Sequence, residues 1–343
     1  MQYRSVADLN DAVLRNVRRL PRGIDLVVGI PRSGLLAGNL LSLALNLPLT
    51  DPDGLLARRL LSAGRTRRHA GMDLERSAGR KIVLVDDTIQ SGQSMREMRD
   101  RIAAAGRGFE VVTCAVYGPR STHPDADLVL EAVPQPRLFQ WNVMHHALLG
   151  QACVDIDGVL CCDPTAAEND DGPAYRAFLL GAAPLLVPTL PIGVLVTSRL
   201  EKYRPETEAW LESAGIRYGR LVMLDLASRE ERLALRGHGA WKADIYRRSD
   251  ALLFIESEQA QAQEIARIAG KPVLCIESQT MIAPDPLSPI ALAQSVRLLP
   301  ARLRAAHSPL TSLTRLKLAA RGLLGQAAYD QVKGWLRPGR RRA

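Results

Sequence analysis

Apolar residues along this chain gather into short aliphatic runs that end in acidic, hydroxyl or glycine residues, and segments of helical period follow them. Residues 5–20 read as a first amphipathic helix. IDLVVGIPRSGLLAGNLLSLALNLPL (24–49) then gives a buried strand, a tight loop at Pro31–Gly34 and an Ala/Leu-rich helix. KIVLVDDTIQSGQSMREM (81–98) repeats the plan, with four aliphatic residues leading to Asp86-Asp87, a short loop and a helix. The second half does the same. ACVDIDGVL (152–160) is a strand ending in Asp-x-Asp-Gly, and PIGVLVTSR (191–199) is a strand ending in Thr197-Ser198. Residues 251–278 read strand, acidic turn, helix, strand. Aliphatic strands alternating with helices imply parallel sheets covered on both faces. The expected fold is therefore α/β, with two doubly wound parallel-sheet domains over 1–148 and 149–282 and a Pro-rich linker and basic tail over 283–343.

Composition agrees. A chain of 343 residues is long for one core and comfortable for two. It is 47% hydrophobic and only 4% aromatic, so its cores are aliphatic. The five cysteines, at 114, 153, 161, 162 and 275, form no CxxC pair, which favours reduced thiols over a disulfide or zinc scaffold. The polar opening MQYRSVADLN predicts no leader, and no apolar run approaches the ~20 residues of a spanning helix. Of the net charge of +9, a surplus of +7 lies between Leu310 and Ala343, leaving the body nearly neutral at +2. A nucleic-acid-binding body would need its own basic face, so no nucleic-acid partner is expected.

Loops at helix N-termini present backbone N–H groups and the positive end of the dipole, which suits an anion. In the first half two such loops follow strands, and Asp86 and Asp87 can hold the hydroxyls of a sugar whose phosphate occupies the second loop. VLVDDTIQSGQS resembles the signature of type I phosphoribosyltransferases that binds 5-phosphoribosyl diphosphate (PRPP), and IPRSG is similar to that family's pyrophosphate loop. The resemblance implies PRPP contacts from Asp86, Asp87, Thr88, Gln90, Ser91, Gly92, Gln93 and Ser94. It also implies pyrophosphate contacts from Pro31, Arg32, Ser33 and Gly34, together with Mg²⁺. The arginine-dense stretch 55–71 stands where that family has a loop that closes over PRPP and keeps water from the ribosyl centre, with Arg65, Arg67 and Arg68 as its basic residues. RLFQWN (137–142) carries Phe139 and Trp141, with His145 and His146 nearby. It reads as a plug between domains, with stacking on an acceptor ring as the alternative.

In the second half, ACVDIDGVL resembles motif one of the haloacid dehalogenase (HAD) superfamily. There the first aspartate, here Asp155, attacks phosphorus, and the second, Asp157, protonates the leaving oxygen and later activates water. The presence of that second aspartate implies phosphoryl chemistry. Thr197 and Ser198 match the phosphate-gripping hydroxyl of motif two, and Lys242 in WKADIYRR matches the cation of motif three. Glu256 or Glu258 completes a second Mg²⁺ site with Asp155 and the backbone carbonyl of Asp157, Glu256 ranking first because it ends the strand. Cys161-Cys162-Asp163-Pro164 reads as a turn without metal, and His238 as a loop residue. The stretches between motifs are too short for a full cap domain, which leaves an open site suited to a phosphate displayed on something large.

Together the two halves resemble bacterial polysaccharide systems that install ribofuranose. That resemblance implies transfer of 5-phosphoribosyl from PRPP to a saccharide acceptor, a lipid-linked glycan, followed by removal of the 5-phosphate. Two other readings stand beside it: a nucleobase phosphoribosyltransferase fused to a nucleotidase, and a PRPP-sensing regulator. The tail reads either as a basic amphipathic helix on an anionic membrane or as a docking helix with a disordered basic end. The expected location is cytoplasmic, with peripheral contact on the inner face of the membrane, and the oligomeric state stays open.

Overall fold

The computed structural model describes residues 1–61, 79–234 and 237–284. Arg65, Arg67, Arg68 and the tail beyond residue 284 lie outside them. The chain divides into two compact units, Met1–Ala147 and a second that starts at Leu148.

The first unit opens with β1 (Gln2–Arg4) and α1 (Val6–Asn16). Ser5 caps α1 reciprocally: its hydroxyl accepts from Asp8 N at 3.1 Å while its own N–H donates to Asp8 Oδ2 at 2.7 Å. The helix ends at Asn16, and a 3₁₀ turn (Val17–Arg19) takes up the rest of the expected span. There follow β2 (Ile24–Gly29), α2 (Ser33–Leu45), β3 (Leu49–Thr50) and α3 (Pro52–Leu56). Then come β4 (Lys81–Thr88), α4 (Gln93–Ala104), β5 (Glu110–Gly118), β6 (Leu128–Ala132) and β7 (Arg137–Phe139). Five of the strands form a parallel sheet in the order β3-β2-β4-β5-β6, and β1 pairs with β7 apart from it. Alternation along the strands divides their side chains between two cores. Val27, Val83 and Val85 pack with Leu9, Ala12 and Leu41 of α1 and α2. Leu26, Val28, Ile82 and Leu84 pack with Met95 and Ile102 of α4. Both faces of the sheet are thus buried, which is why its strands read as unbroken aliphatic runs.

The aromatic pair of RLFQWN faces inward in this unit. Tyr117, Phe139 and Trp141 stack as a trio, with ring centroids 5.4 Å apart for Tyr117–Phe139 and 5.1 Å for Phe139–Trp141. Phe139 is 3% exposed, so it presents no face to an acceptor ring.

The second unit runs β8 (Ala152–Val154), α5 (Pro173–Gly181), β9 (Ile192–Leu200), α6 (Arg204–Ser213), β10 (Tyr218–Leu224) and α7 (Arg229–Ala234). It continues with α8 (His238–Arg248), β11 (Leu253–Glu256), α9 (Gln259–Ala269), β12 (Val273–Cys275) and β13 (Thr280–Ile282). The sheet order is β10-β9-β8-β11-β12-β13, parallel except for β13. His238 begins α8 rather than sitting in a loop. The register pairs Val154 with Ile255, so Asp155 and Glu256 emerge side by side at the carboxyl edge of neighbouring strands. That edge is where ligands bind in open α/β sheets. Among the described residues no helix is long and apolar enough to cross a membrane.

Truncating the middle ring of the aromatic trio should be costly: Phe139→Ala is expected to destabilise the first unit by about 3–5 kcal/mol. Hydrogen exchange of the β4 and β5 amides against denaturant would measure it.

Candidate active sites

In the first unit, the ends of β2 and β4 bring two of the predicted loops together. Ile30 N donates to Val85 O at 2.9 Å. The Pro31–Arg32 peptide bond is cis, and α2 starts at Ser33. The backbone at Gly34 lies against the acidic pair: a Cβ there would fall 2.8 Å from Asp86 Oδ1 and 3.0 Å from Val85 O. Glycine is needed at 34 for this close approach. Asp86, Asp87 and Thr88 end β4, and Gly92, with φ at +75°, caps the start of α4. Gln93 and Ser94 fill the first turn of that helix, with Ser91 Oγ 3.4 Å from Gln93 N. The loop and its two carboxylates therefore sit at the N-termini of α2 and α4, where anions are favoured.

The acidic pair is already engaged. Trp141 Nε1 donates to Asp87 Oδ2 at 2.7 Å, and Asp87 N donates to Asp86 Oδ1 at 3.0 Å. Burial, and then the Asp87 charge, push the Asp86 carboxyl well above the usual carboxylate range. Two predicted contacts turn away from the loop. The Gln90 side chain accepts from Arg137 Nη2 and Gln135 Nε2, both at 3.0 Å, and the Gln93 side chain donates to Glu97 at 2.8 Å. The buried Arg137 also donates to Ile89 O at 2.7 Å, fixing the loop from behind. No sequence signal marked Arg137 or Trp141 for these roles.

In the second unit three predicted residues converge. Lys242 Nζ, from α8, donates to Asp155 Oδ2 at 2.6 Å and to Glu256 Oε2 at 2.9 Å. The remaining oxygens accept backbone N–H groups: Asp155 Oδ1 from Ile156 at 2.9 Å and Glu256 Oε1 from Ser257 at 3.0 Å. All three side chains are buried, at 6%, 2% and 0% exposure for Asp155, Lys242 and Glu256. Burial pushes the Asp155 carboxyl up against the pull of Lys242, with Glu256 and Asp157 adding to the rise. Burial alone would lower Lys242, but Asp155 and Glu256 hold it above the usual lysine range. Glu258 does not join this group. It is exposed at the start of α9 and accepts from Gln261 at 2.6 Å, which leaves Glu256 as the strand-end carboxylate. Thr197 is buried with its hydroxyl accepting from Arg199 N at 3.2 Å, and the Ser198 hydroxyl is buried without a partner.

Asp157 meets a residue that the sequence reading passed over. Arg199, fully buried, donates Nη2 to Asp157 Oδ1 at 2.7 Å and Nε to Oδ2 at 3.1 Å, a bidentate fork. Arg199 Nη2 also lies 3.2 Å from Cys161 Sγ, and Cys161 donates to Asp157 Oδ1 at 3.5 Å. Burial and then the Asp157 charge push the Cys161 thiol up. The only signal was an arginine directly after the Thr-Ser pair, inside an otherwise apolar strand. Asp163, read as part of a turn, also belongs to this neighbourhood: burial and then Asp157 and Glu256 raise its carboxyl.

Among the described residues no three acidic, His or Cys side chains come close enough to hold a metal ion by themselves. The donor chemistry nevertheless fits Mg²⁺, which takes hard oxygens and prefers one or two carboxylates with waters and substrate phosphate. Asp155 and Glu256 offer such oxygens at neighbouring strand ends, with Asp163 close enough for Asp157 and Glu256 to raise its carboxyl.

Residues 2–142 match the family model of the phosphoribosyl transferase domain. An orotate phosphoribosyltransferase of Nocardioides sp. is 32% identical over 117 residues, which are 34% of this chain and 61% of that relative's length. Among solved structures, the Helicobacter pylori xanthine-guanine-hypoxanthine phosphoribosyltransferase aligns at 17% identity over 41% of this chain and 92% of its own, with a TM-score of 0.30. A purine phosphoribosyltransferase from Pyrococcus horikoshii aligns at 19% identity over 40% and 86%, with a TM-score of 0.26.

Removing Lys242 leaves two buried carboxylates facing each other. Lys242→Met is therefore expected to cost the second unit about 3–5 kcal/mol, seen as a lower denaturation midpoint of the β8 and β11 amides in hydrogen exchange.

Proposed function

We propose, from the match of residues 2–142 to the phosphoribosyl transferase domain, that this chain joins two reactions, a 5-phosphoribosyl transfer from PRPP to a saccharide acceptor and the removal of the 5-phosphate from the product. The observation that carries the reading is the buried Asp155–Lys242–Glu256 group in the unit that follows the transferase domain. A nucleophilic carboxylate at a strand end, held by a lysine and a second carboxylate, is the equipment of a HAD-like phosphatase.

In the first reaction an acceptor hydroxyl attacks the anomeric carbon of PRPP, and pyrophosphate and a proton leave. The acidic pair Asp86-Asp87 would hold the ribose hydroxyls, and the loops at 31–34 and 88–94 the phosphates. In the second, an Asp155 oxygen attacks phosphorus and the ester bond to the ribosyl oxygen breaks, Asp157 giving that oxygen its proton. Water then attacks the aspartyl-phosphate and returns a proton to Asp157, and inorganic phosphate leaves with Asp155 restored. Lys242 neutralises the nucleophile, and Thr197 or Ser198 grips the phosphoryl oxygens. Mg²⁺ held by Asp155, Glu256 and the Asp157 carbonyl would neutralise phosphoryl charge.

Two features support a saccharide acceptor. The chain between β8 and β9 holds one helix, α5, too little for a cap domain, so a phosphate on a large molecule can reach Asp155. Of the two rings that the sequence offers for stacking, Phe139 is buried in its own core and Trp141 stacks on it with its N–H given to Asp87. The basic tail would bring the enzyme to an anionic membrane carrying a lipid-linked glycan. The second reading, a nucleobase phosphoribosyltransferase joined to a nucleotidase, is favoured by the 32% identity to an orotate phosphoribosyltransferase.

Mass spectrometry of acceptor glycans incubated with PRPP and Mg²⁺ separates the two. The native chain is expected to add a pentose, and Asp155→Asn to stop at a phosphopentose. Pyrophosphate release with orotate or a free purine, and none with glycans, would overturn the saccharide reading. Gly34→Ala crowds Asp86 and is expected to weaken PRPP binding about 10-fold or more by calorimetry, following an overpacking cost of about 1–3 kcal/mol.

A further inference from the structure

In the first unit, the turn that joins β4 to α4 has three successive carbonyls held by side chains from three different places in the fold. Ile89 O accepts from Arg137 Nη2 of β7 at 2.7 Å. Gln90 O stands 3.2 Å from His123 Nε2, in the connection between β5 and β6, and Ser91 O accepts from Arg96 Nη1 of α4 at 3.2 Å. The other ring nitrogen of His123 assigns its hydrogen. Nδ1 accepts from Asp125 N at 3.2 Å, so Nε2 carries the hydrogen and donates to Gln90 O. Arg137 is 4% exposed and the His123 side chain 10%, while Arg96 is steadied by an ion pair with Asp125. A trans peptide is planar, with its C=O and N–H pointing in opposite directions. Carbonyls turned to these three donors therefore turn the following amides, those of Gln90, Ser91 and Gly92, the other way. Ile89 N is spent on Tyr117 O at 2.8 Å, but among the described residues the amides of Gln90, Ser91 and Gly92 donate to nothing. Gln90 and Ser91 are exposed, and Gly92 has the left-handed backbone of a turn in which consecutive N–H groups converge on an anion.

We propose that Arg137, His123 and Arg96 are positioning residues of the phosphate loop: they act through the backbone, fixing three peptide planes so that three consecutive amides face the 5-phosphate of PRPP. The inference rests on the transferase reading and adds to it three residues that lie outside the loop signature. Without its donor, a loop peptide is free to rotate and can present a carbonyl oxygen to the anion. Ordering that peptide then opposes binding instead of preceding it. Arg137 and Arg96 bring charge as well as hydrogen bonds, whereas His123 gives its hydrogen bond as a neutral ring. His123→Phe therefore isolates the placement of the peptide from any change in charge. Pyrophosphate serves as the reference ligand, since its expected place is the separate loop at Pro31–Gly34 and it too responds to a lost positive charge.

The test follows backbone amide resonances of the full-length chain by NMR with Mg²⁺ present, reading Gly92 during titration with PRPP and Gly34 during titration with pyrophosphate. In the native chain PRPP is expected to move the Gln90, Ser91 and Gly92 amide protons downfield, as hydrogen bonds to phosphate do. His123→Phe, Arg137→Met and Arg96→Met are each expected to raise the Kd for PRPP about 10-fold, the scale of one lost hydrogen bond, and to leave the Kd for pyrophosphate within about 2-fold. Arg96 is part-exposed on a helix, so Arg96→Met keeps the test open if a buried replacement fails to fold. Dispersed β4 and β5 amides in the unbound spectra identify the folded variants. Unchanged PRPP affinity in the folded variants, or equal losses for the two ligands, overturns the assignment and leaves PRPP binding intact. A native chain that binds no PRPP overturns both.

Discussion

The second unit is organised around one ammonium group placed between two buried carboxylates. Lys242 bridges Asp155 and Glu256, and all three are withdrawn from water. Such a group is weak evidence for stability, since two carboxylates and one lysine leave a net charge in a poorly solvated place. It is better understood as a constraint on the rest of the unit. The pairing of β8 with β11 has to deliver Asp155 and Glu256 side by side, and α8 has to present Lys242 to both. Tyr246 and Ala243, on the same helix, pack with Cys153, Phe254 and Ala262, so the apolar core holds α8 at the depth that the lysine requires. Packing and charge placement are the same requirement here.

The first unit meets a different constraint, close approach of backbone to backbone. Gly34 brings the start of α2 against the end of β4, and Gly92 lets the chain turn into α4 with a positive φ. Two helix N-termini and two carboxylates then share one edge of the sheet. The carboxylates would repel an anion and the helix termini attract it, which suits a ligand with hydroxyls at one end and phosphates at the other. Trp141 adds a donor to Asp87, so that a ligand meets a carboxylate whose one oxygen is already occupied.

Much of this was legible in the sequence, for identifiable reasons. Aliphatic runs report strands buried on both faces, and the polar residue that ends each run reports the carboxyl edge of the sheet. Asp86, Asp87, Asp155 and Glu256 all stand at such ends, and strand pattern ranked Glu256 ahead of Glu258 without deciding between them. Lys242 was legible only through the resemblance of WKADIYRR to motif three, and the structure places it one turn into α8. What escaped were the contacts of Arg199, Arg137 and Trp141, whose side chains reach across sequence. Arg199 looked like the polar close of a strand, and its reach of 42 residues to Asp157 follows from the β8–β9 pairing rather than from local pattern. Arg137 and Trp141 lay in a segment read as a plug, and the stacked trio that turns them inward needs Tyr117 from β5. The helix ending at Asn16 reflects an ordinary boundary error, since the following 3₁₀ turn continues the same run of residues.

The shortness of β8 has an effect on how this unit can change. The strand has three residues, and Asp155 and Asp157 follow it with Ile156 between them, fully buried. Strand side chains alternate with a period of two, so gaining or losing a single residue in β8 would exchange the parity of everything after it. An isoleucine would then stand where the carboxylate belongs, and both acids would face the core. Length variation in descendants of this sequence must therefore fall in the connections, where α5 and its flanks can grow or shrink without disturbing that alternation.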